Sequence, residues 1–189
     1  VLLHNYVPAL KLGIQQQDKS RRGFVTMGRL TPEKGFDRLI ELWPSSQKLT
    51  LLGDGPERAR LEMLASGKDI DFKGYVSESE RDQAVQTAKA LILPSITKEA
   101  DPVVVAQALS CNTPCIARTG TATAQLAESS TAVLTYWDSR SLVSALNLVD
   151  DPDRRAGARR CYENTWSPAA WLNGFRSQVI EPLGIQASL

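Results

Sequence analysis

One histidine, three cysteines and no excess of either charge leave this 189-residue chain short of the raw material for several kinds of protein. Its 22 Lys and Arg stand against 21 Asp and Glu, for a formal charge of +1. No global field therefore favours nucleic acid or an anionic surface, and any anion site has to be local. Cys111, Cys115 and Cys161 are an odd set without metal-ligand spacing, which reads as reduced thiols in a cytosolic protein. Cys111 and Cys115 flank a helix-to-strand turn and read as small buried apolar residues. The lone histidine, His4, falls in the opening segment and receives no role. Asp69 and Asp71 have the spacing of a DxD metal motif but straddle the start of a strand at "DIDF", where edge residues are expected. No run of about eighteen apolar residues is present to span a membrane, and no basic leader precedes an apolar segment. There are no repeats and no low-complexity tract. The first residues, "VLLHNYVPAL", read as an interior stretch of something longer, an excised domain.

What is present is a 42% hydrophobic content, enough for a sizeable core, and a regular alternation. "GFVTM", "KLTLLG", "DIDFKG", "ALILP", "PCIA" and "TAVLTY" read as six strands. Between them lie helical patterns: "KGFDRLIELW" sets Phe36, Leu39, Ile40 and Trp43 on one face, and the helix after "GDGPE" turns Leu61 and Leu64 inward. Ser77 and Glu80 have capping-box spacing before a further helix. Asp101-Pro102 supplies an N-cap and first-turn proline for the helix running through Leu109. From Asp138 the chain is helical. Strands alternating with helices at this spacing predict right-handed crossovers and a parallel sheet. The fold class is therefore α/β, a doubly wound six-stranded sheet whose ligands bind beyond the carboxyl ends of the strands. Residues 1–22 read as a linker in which Leu2, Leu3 and Val7 could form a strand, 23–165 as the Rossmann-like domain, and 166–189 as a closing helix.

Four strand-to-helix turns gather at that carboxyl edge. "GRLTPEKG" offers Gly28 for close backbone approach, the forked donor of Arg29, and Lys34 at the start of a helix: the makings of a diphosphate site. The bland alternative is a solvated surface turn. "GDGPE" is weak by itself. "KGYVSESE" puts Tyr75 and Val76 where the chain leaves a strand and could pack on a planar ring, although a lone tyrosine there is more often half-buried and structural. In "KEADPVVVAQALS", Glu99 precedes a helix whose first amides, at Val103 and Val104, point where an anion would sit. Gln107 lies about two turns further on.

The run "GRLTPEKGFDRLI … LTLLGDGPERARL … IDFKGYVS … AKALILPSITKEADPVVVAQALSCNTPCIA" resembles the C-terminal, donor-binding domain of GT-B-fold glycosyltransferases of retaining family 4, from about Gly23 to Thr135. The closing helix with Trp166, Trp171 and Phe175 is similar to the segment that crosses back to the other domain in that family. The resemblance implies a hexosyltransferase that takes a nucleotide-diphosphate sugar and transfers with retention and without metal or other cofactor, in polysaccharide or glycolipid assembly. It implies that Gly28, Arg29 and Lys34, with the amides of Val103 and Val104, hold the diphosphate. Tyr75 and Val76 would meet the nucleobase. Glu99 matches the first glutamate of the family's E-x7-E motif, which contacts the donor sugar, and is the catalytic candidate. Gln107 stands where the second glutamate grips the ribose. The glycan or lipid-linked acceptor would be bound through an N-terminal domain that a chain of this length does not hold. A cytoplasmic protein, peripheral to the inner membrane face through its full length, is the implied location.

Two departures stand out. Glutamine at 107 can accept a hydrogen bond but not a charge-assisted one. The family's paired glycine and glutamate after "PCIA" are replaced by "RTGTATAQ", with Gly120 alone. Gln107 thus favours a rival reading as a non-catalytic nucleotide-sugar-binding module or degenerate partner subunit. Other rivals are a GT-B epimerase or phosphorylase, against which "GRLTPEKG" argues, and a flavodoxin-like domain, which lacks support because the early strands carry no acidic cluster.

Overall fold

The computed structural model describes residues 7–10, 21–97 and 103–183. Six strands form one sheet: β1 (Phe24–Met27), β2 (Leu49–Leu52), β3 (Ile70–Gly74), β4 (Leu91–Leu93), β5 (Cys115–Arg118) and β6 (Val133–Tyr136). The spatial order is β3-β2-β1-β4-β5-β6, and every pairing is parallel. The order reverses between β1 and β4, so the crevice beyond their carboxyl ends is the topological switch point of a doubly wound sheet.

Alternation along the strands explains the two layers. Val25, Leu91, Cys115 and Ala117 face one side, which is covered by α3 (Glu78–Thr87), α4 (Val103–Ser110) and α7 (Pro152–Thr165) through Val85, Val105, Leu109, Ala158 and Tyr162. Phe24, Leu49, Ile92 and Ile116 face the other, against Leu39 and Trp43 of α1 (Phe36–Leu42) and its end, and Leu142 and Leu146 of α6 (Ser139–Leu148). Leu51 adds a third cluster with Phe36, Ile40 and Leu61, the last from α2 (Arg58–Leu64). Each leucine that goes from water to full burial contributes about 2 kcal/mol. The buried Thr26 hydroxyl is satisfied by the Ile92 carbonyl across the β1–β4 pair, at 2.9 Å.

Helix starts follow the local signals. Ser77 and Glu80 form a complete capping box, and Asp138 and Ser141 form another. Asp151 caps α7 and Ser167 caps α8 (Pro168–Phe175), each followed by a first-turn proline. Two elements differ from the pattern expected along the chain. "TATAQ" contains a one-turn helix, α5 (Ala122–Gln125), which Thr121 caps by accepting from the Ala124 N–H. Lys34 does not begin a helix: it closes a separate 3-10 turn, Pro32–Lys34, and α1 starts only after Gly35 at φ 67°.

Val7 is not in a strand. It is buried beside the end of α7, where its N–H donates to the Trp166 carbonyl (3.0 Å) and its carbonyl accepts from the Tyr162 hydroxyl (2.7 Å). Leu10 N–H donates to Ser110 Oγ at 3.0 Å, so this short stretch runs across α7 and α4. Leu2, Leu3, His4 and the Asp101-Pro102 cap lie outside the described residues. Trp166 is buried at the break between α7 and α8, and Trp171 stacks on Phe175 with centroids 5.2 Å apart. Among the described residues no helix is long and apolar enough to cross a membrane.

Candidate functional site at the carboxyl edge

Four turns leave the strands on the same rim, and backbone bonds lace them together. Gly28 N–H donates to Leu52 O (3.0 Å), Leu30 N–H to Asp54 O (2.9 Å), Gly53 N–H to Gly74 O (2.8 Å), and Ile96 N–H to Glu33 O (3.1 Å). The glycines of "GDGPE" exist for this packing. Gly53 has φ 122°, and a Cβ on it would fall 2.0 Å from the Gly28 carbonyl oxygen. One on Gly55 would fall 2.5 Å from the Leu30 carbonyl oxygen. The first two turns touch backbone to backbone, and no side chain fits between them.

On this rim stand two cations. Arg29 is exposed, and its side chain makes no hydrogen bond or ion pair among the described residues. Lys34 is half-buried and lies back toward β1: its Cδ is 3.9 Å from where a Gly28 Cβ would sit. Glu33 lies on the same turn. Its carboxyl is held below the usual range chiefly by the Thr31 hydroxyl (2.6 Å), then by the backbone, and also by the charges of Lys34 and Arg29.

Beside Arg29 opens a cleft of about 360 Å³, lined by Met27, Gly28 and Arg29 from the first turn, Gly53 and Asp54 from the second, and Tyr75, Val76, Glu78 and Arg81 from the third. Tyr75 is far from half-buried: 83% of it is exposed, so its ring is open to a planar partner. Val76 is half-buried and packs on the core. Gly28, Arg29, Tyr75 and Val76 thus meet in one cleft.

Gln107 does not join them there. It lines a neighbouring depression of about 640 Å³ together with Pro8, Leu10, Gln83 and Gln86. Glu78 and Arg81 line both hollows and form the ridge between them. Val103, the first residue of α4, is 53% exposed, and Val104 is half-buried. Glu99 lies outside the described residues.

Glu78 and Arg81 went unremarked in the sequence, where "SESER" reads first as a capping signature. Their spacing of three residues on a helix, which sets both on one face, was the available signal. Among the described residues no group of three or more His, Cys, Asp or Glu is placed to hold a metal ion. Asp71 instead pairs with Lys73 at 2.7 Å. Cys111 and Cys115 are buried and Cys161 is half-buried; burial pushes all three thiols upward, which keeps them protonated.

The sequence profile of the family Glycosyl transferases group 1 matches residues 12–149. Over 156 residues the chain is 30% identical to the GDP-mannose-dependent alpha-(1-6)-phosphatidylinositol dimannoside mannosyltransferase of Mycobacterium tuberculosis, covering 77% of this chain and 41% of that protein. It is 26% identical over 151 residues to the amylovoran biosynthesis glycosyltransferase AmsD of Erwinia amylovora, covering 75% of this chain and 42% of that one. The chain spans about two-fifths of the length of these curated relatives. Among solved structures, a point mutant of TarM of S. aureus in complex with Fondaparinux, alpha-GlcNAc-glycerol and UDP superposes with a TM-score of 0.73 at 16% identity, over 94% of this chain and 38% of that one.

Proposed function

The chain belongs to the glycosyl transferases group 1 family and carries the Rossmann-like fold of its GT-B members, and from that premise we propose that its carboxyl edge binds a nucleotide-diphosphate sugar as donor for retaining, metal-independent glycosyl transfer in polysaccharide or glycolipid assembly. The observation that carries the reading is one of placement: Arg29, exposed and with no hydrogen bond or ion pair from its side chain among the described residues, opens onto the same cleft as the bare ring of Tyr75. A base laid against Tyr75 and Val76 directs the diphosphate toward Arg29 and Lys34.

In this reading the chain's work is positional and electrostatic. Arg29 and Lys34 neutralise the charge that builds on the departing diphosphate, with help from the amides of Val103 and Val104 at the start of α4. A forked guanidinium suits a phosphate better than a point charge does. These cations are the support for a reaction that uses no metal. Glu99 is assigned to the donor sugar and Gln107 to the ribose. The glycan or lipid-linked acceptor is assigned to a domain outside this chain, and the location to the cytoplasm, peripheral to the membrane through the whole protein.

Ligand that binds only the folded state raises its stability, by about 2.7 kcal/mol at a hundred times Kd. A melting panel with UDP, GDP and ADP and their sugars tests the proposal: at least one raises the melting temperature. If none does, the donor reading fails.

A second reading, a non-catalytic nucleotide-sugar-binding module, is favoured by Gln107, an amide that opens into the neighbouring hollow and not into the cleft with Tyr75. Gln107→Glu discriminates. A ribose contact predicts about five-fold tighter binding of a nucleotide sugar, since a charge-assisted bond adds about 1 kcal/mol. Unchanged or weaker binding removes Gln107 from the ribose site.

A further inference from the structure

We propose that Glu78 and Arg81 read the edge of the donor's base and select guanine. The inference rests on the nucleotide-sugar reading above and narrows it.

Acidic side chains are plentiful around the cleft, but nearly all are spent on the protein itself. Asp54 accepts from the Gly55 N–H (2.7 Å) and from Arg58 Nη1 (3.1 Å). Glu80 is taken up by Ser77, whose N–H and hydroxyl donate to it at 2.8 and 2.7 Å. Asp82 accepts from Nε and Nη2 of Arg81 at 2.9 and 2.7 Å. Glu78 is the exception. It is exposed at the first residue of α3, immediately after the turn that carries Tyr75 and Val76, and makes no hydrogen bond or ion pair among the described residues. Arg81, three residues on and on the same face, commits two of its nitrogens to Asp82 and keeps Nη1 for another acceptor. Both side chains line the cleft that Tyr75 borders.

The pair therefore offers a carboxylate acceptor beside a guanidinium donor, next to an open aromatic ring. Guanine presents the complement: two adjacent donors, the ring N–H and the exocyclic amine, beside a carbonyl acceptor. A carboxylate takes both donors at once, and arginine takes the carbonyl. Uracil presents a single N–H flanked by two carbonyls, so a carboxylate gains one bond and faces a repelling oxygen. Adenine and cytosine present an amine beside a ring acceptor, with the same penalty. A site built to bond a particular donor rejects the analogue that lacks it more strongly than an apolar pocket rejects a missing methylene.

The test is calorimetric titration of the chain with GDP, IDP, UDP and ADP, repeated on Glu78→Gln. The wild-type chain binds GDP at least about ten-fold more tightly than UDP or ADP. IDP, which keeps the ring N–H but lacks the amine, falls between. Glu78→Gln brings GDP down to about the level of IDP and leaves UDP within about two-fold. The Glu78 side chain makes no hydrogen bond or ion pair among the described residues and gives the fold only a first-turn charge on α3, so the variant melts slightly below the wild type, and a cooperative melting curve certifies that it is folded. UDP or ADP binding as tightly as GDP, or a GDP-to-UDP ratio unmoved by Glu78→Gln, overturns the assignment of the base and leaves the donor reading standing. Absence of binding by every nucleoside diphosphate overturns both.

Discussion

The turns that leave β1, β2 and β3 share a rim with the turn that leaves β5, yet the two regions are built by opposite means. In the first, successive turns bond to one another through the backbone, and Gly53 and Gly55 sit where any Cβ would strike a carbonyl oxygen. In the second, Gly120 takes a left-handed φ of 82° with nothing within 4 Å of where its Cβ would be. The second turn is held from its ends, by Thr119 N–H on Tyr136 O (2.9 Å) and Thr121 Oγ1 on Arg118 O (2.9 Å). A wall that carries Arg29, Tyr75 and Glu78 is thus fixed by contacts that leave no room to shift. The turn beyond β5 borders an open hollow of about 620 Å³, into which its glycine intrudes on nothing. Side-chain positions are only as exact as the backbone beneath them, and here precision is concentrated on the β1–β3 side.

The largest expected effect tests that contrast directly. Gly53→Ala forces a methyl 2.0 Å from the Gly28 oxygen at a φ that L residues avoid, and is expected to cost roughly 3 kcal/mol or more in urea unfolding. A cost below about 1 kcal/mol would mean that the laced turns yield, and would break the comparison.

Next comes Arg29→Ala. Loss of a charge-assisted contact lowers affinity for a nucleoside diphosphate about ten- to a hundred-fold in titration. Stability changes by less than about 0.5 kcal/mol, since the side chain supports nothing in the fold. A large loss of stability with affinity intact would show that the cation is structural.

Ser77→Ala, which removes the cap under the Tyr75 turn, is expected to cost about 1 kcal/mol by chemical denaturation. The same cap makes a statement about acid. Bonds from Ser77 hold the Glu80 carboxyl below its ordinary value of 4.5, the side-chain bond first and the backbone bond second. The stabilisation it brings is complete above that ordinary value and disappears as pH falls through the lowered one. In Ser77→Ala the larger, side-chain portion of this acid dependence is expected to be lost while the backbone N–H at 77 keeps the rest, and a midpoint that falls with acid as steeply as in the wild type would contradict it.

Smallest is Gly120→Ala, where space is free and only the backbone conformation is strained: about 1 kcal/mol. A loss comparable to that of Gly53→Ala would erase the distinction between the two regions.

Much of the fold was legible because its causes are local. Strand alternation, helix spacing, and the capping box at Ser77 and Glu80 are all written within a few residues of where they act. The short helix α5 escaped because a single turn of "ATAQ" carries too few residues to display a period, leaving Thr121 as its one signal. Lys34, expected at the start of a helix, instead closes a 3-10 turn: Gly35, left-handed and pressed against the Pro94 carbonyl, ends that turn before α1 begins. Around the cleft, Arg29, Tyr75 and Val76 could be grouped from their positions after β1 and β3. That Gln107 opens into the adjoining hollow could not, because it depends on where the Pro8 to Leu10 stretch crosses α4.

The order of apolar and polar residues was sufficient to set six parallel strands and two covering layers, since periodicity and capping act over single turns of chain. Which carboxylate lining the cleft is left unpaired among the described residues, which glycines are pressed against backbone, and which hollow receives Gln107 were decided only in three dimensions. Partners compete across elements distant in sequence, and the outcome of that competition is a property of packing, not of any one segment.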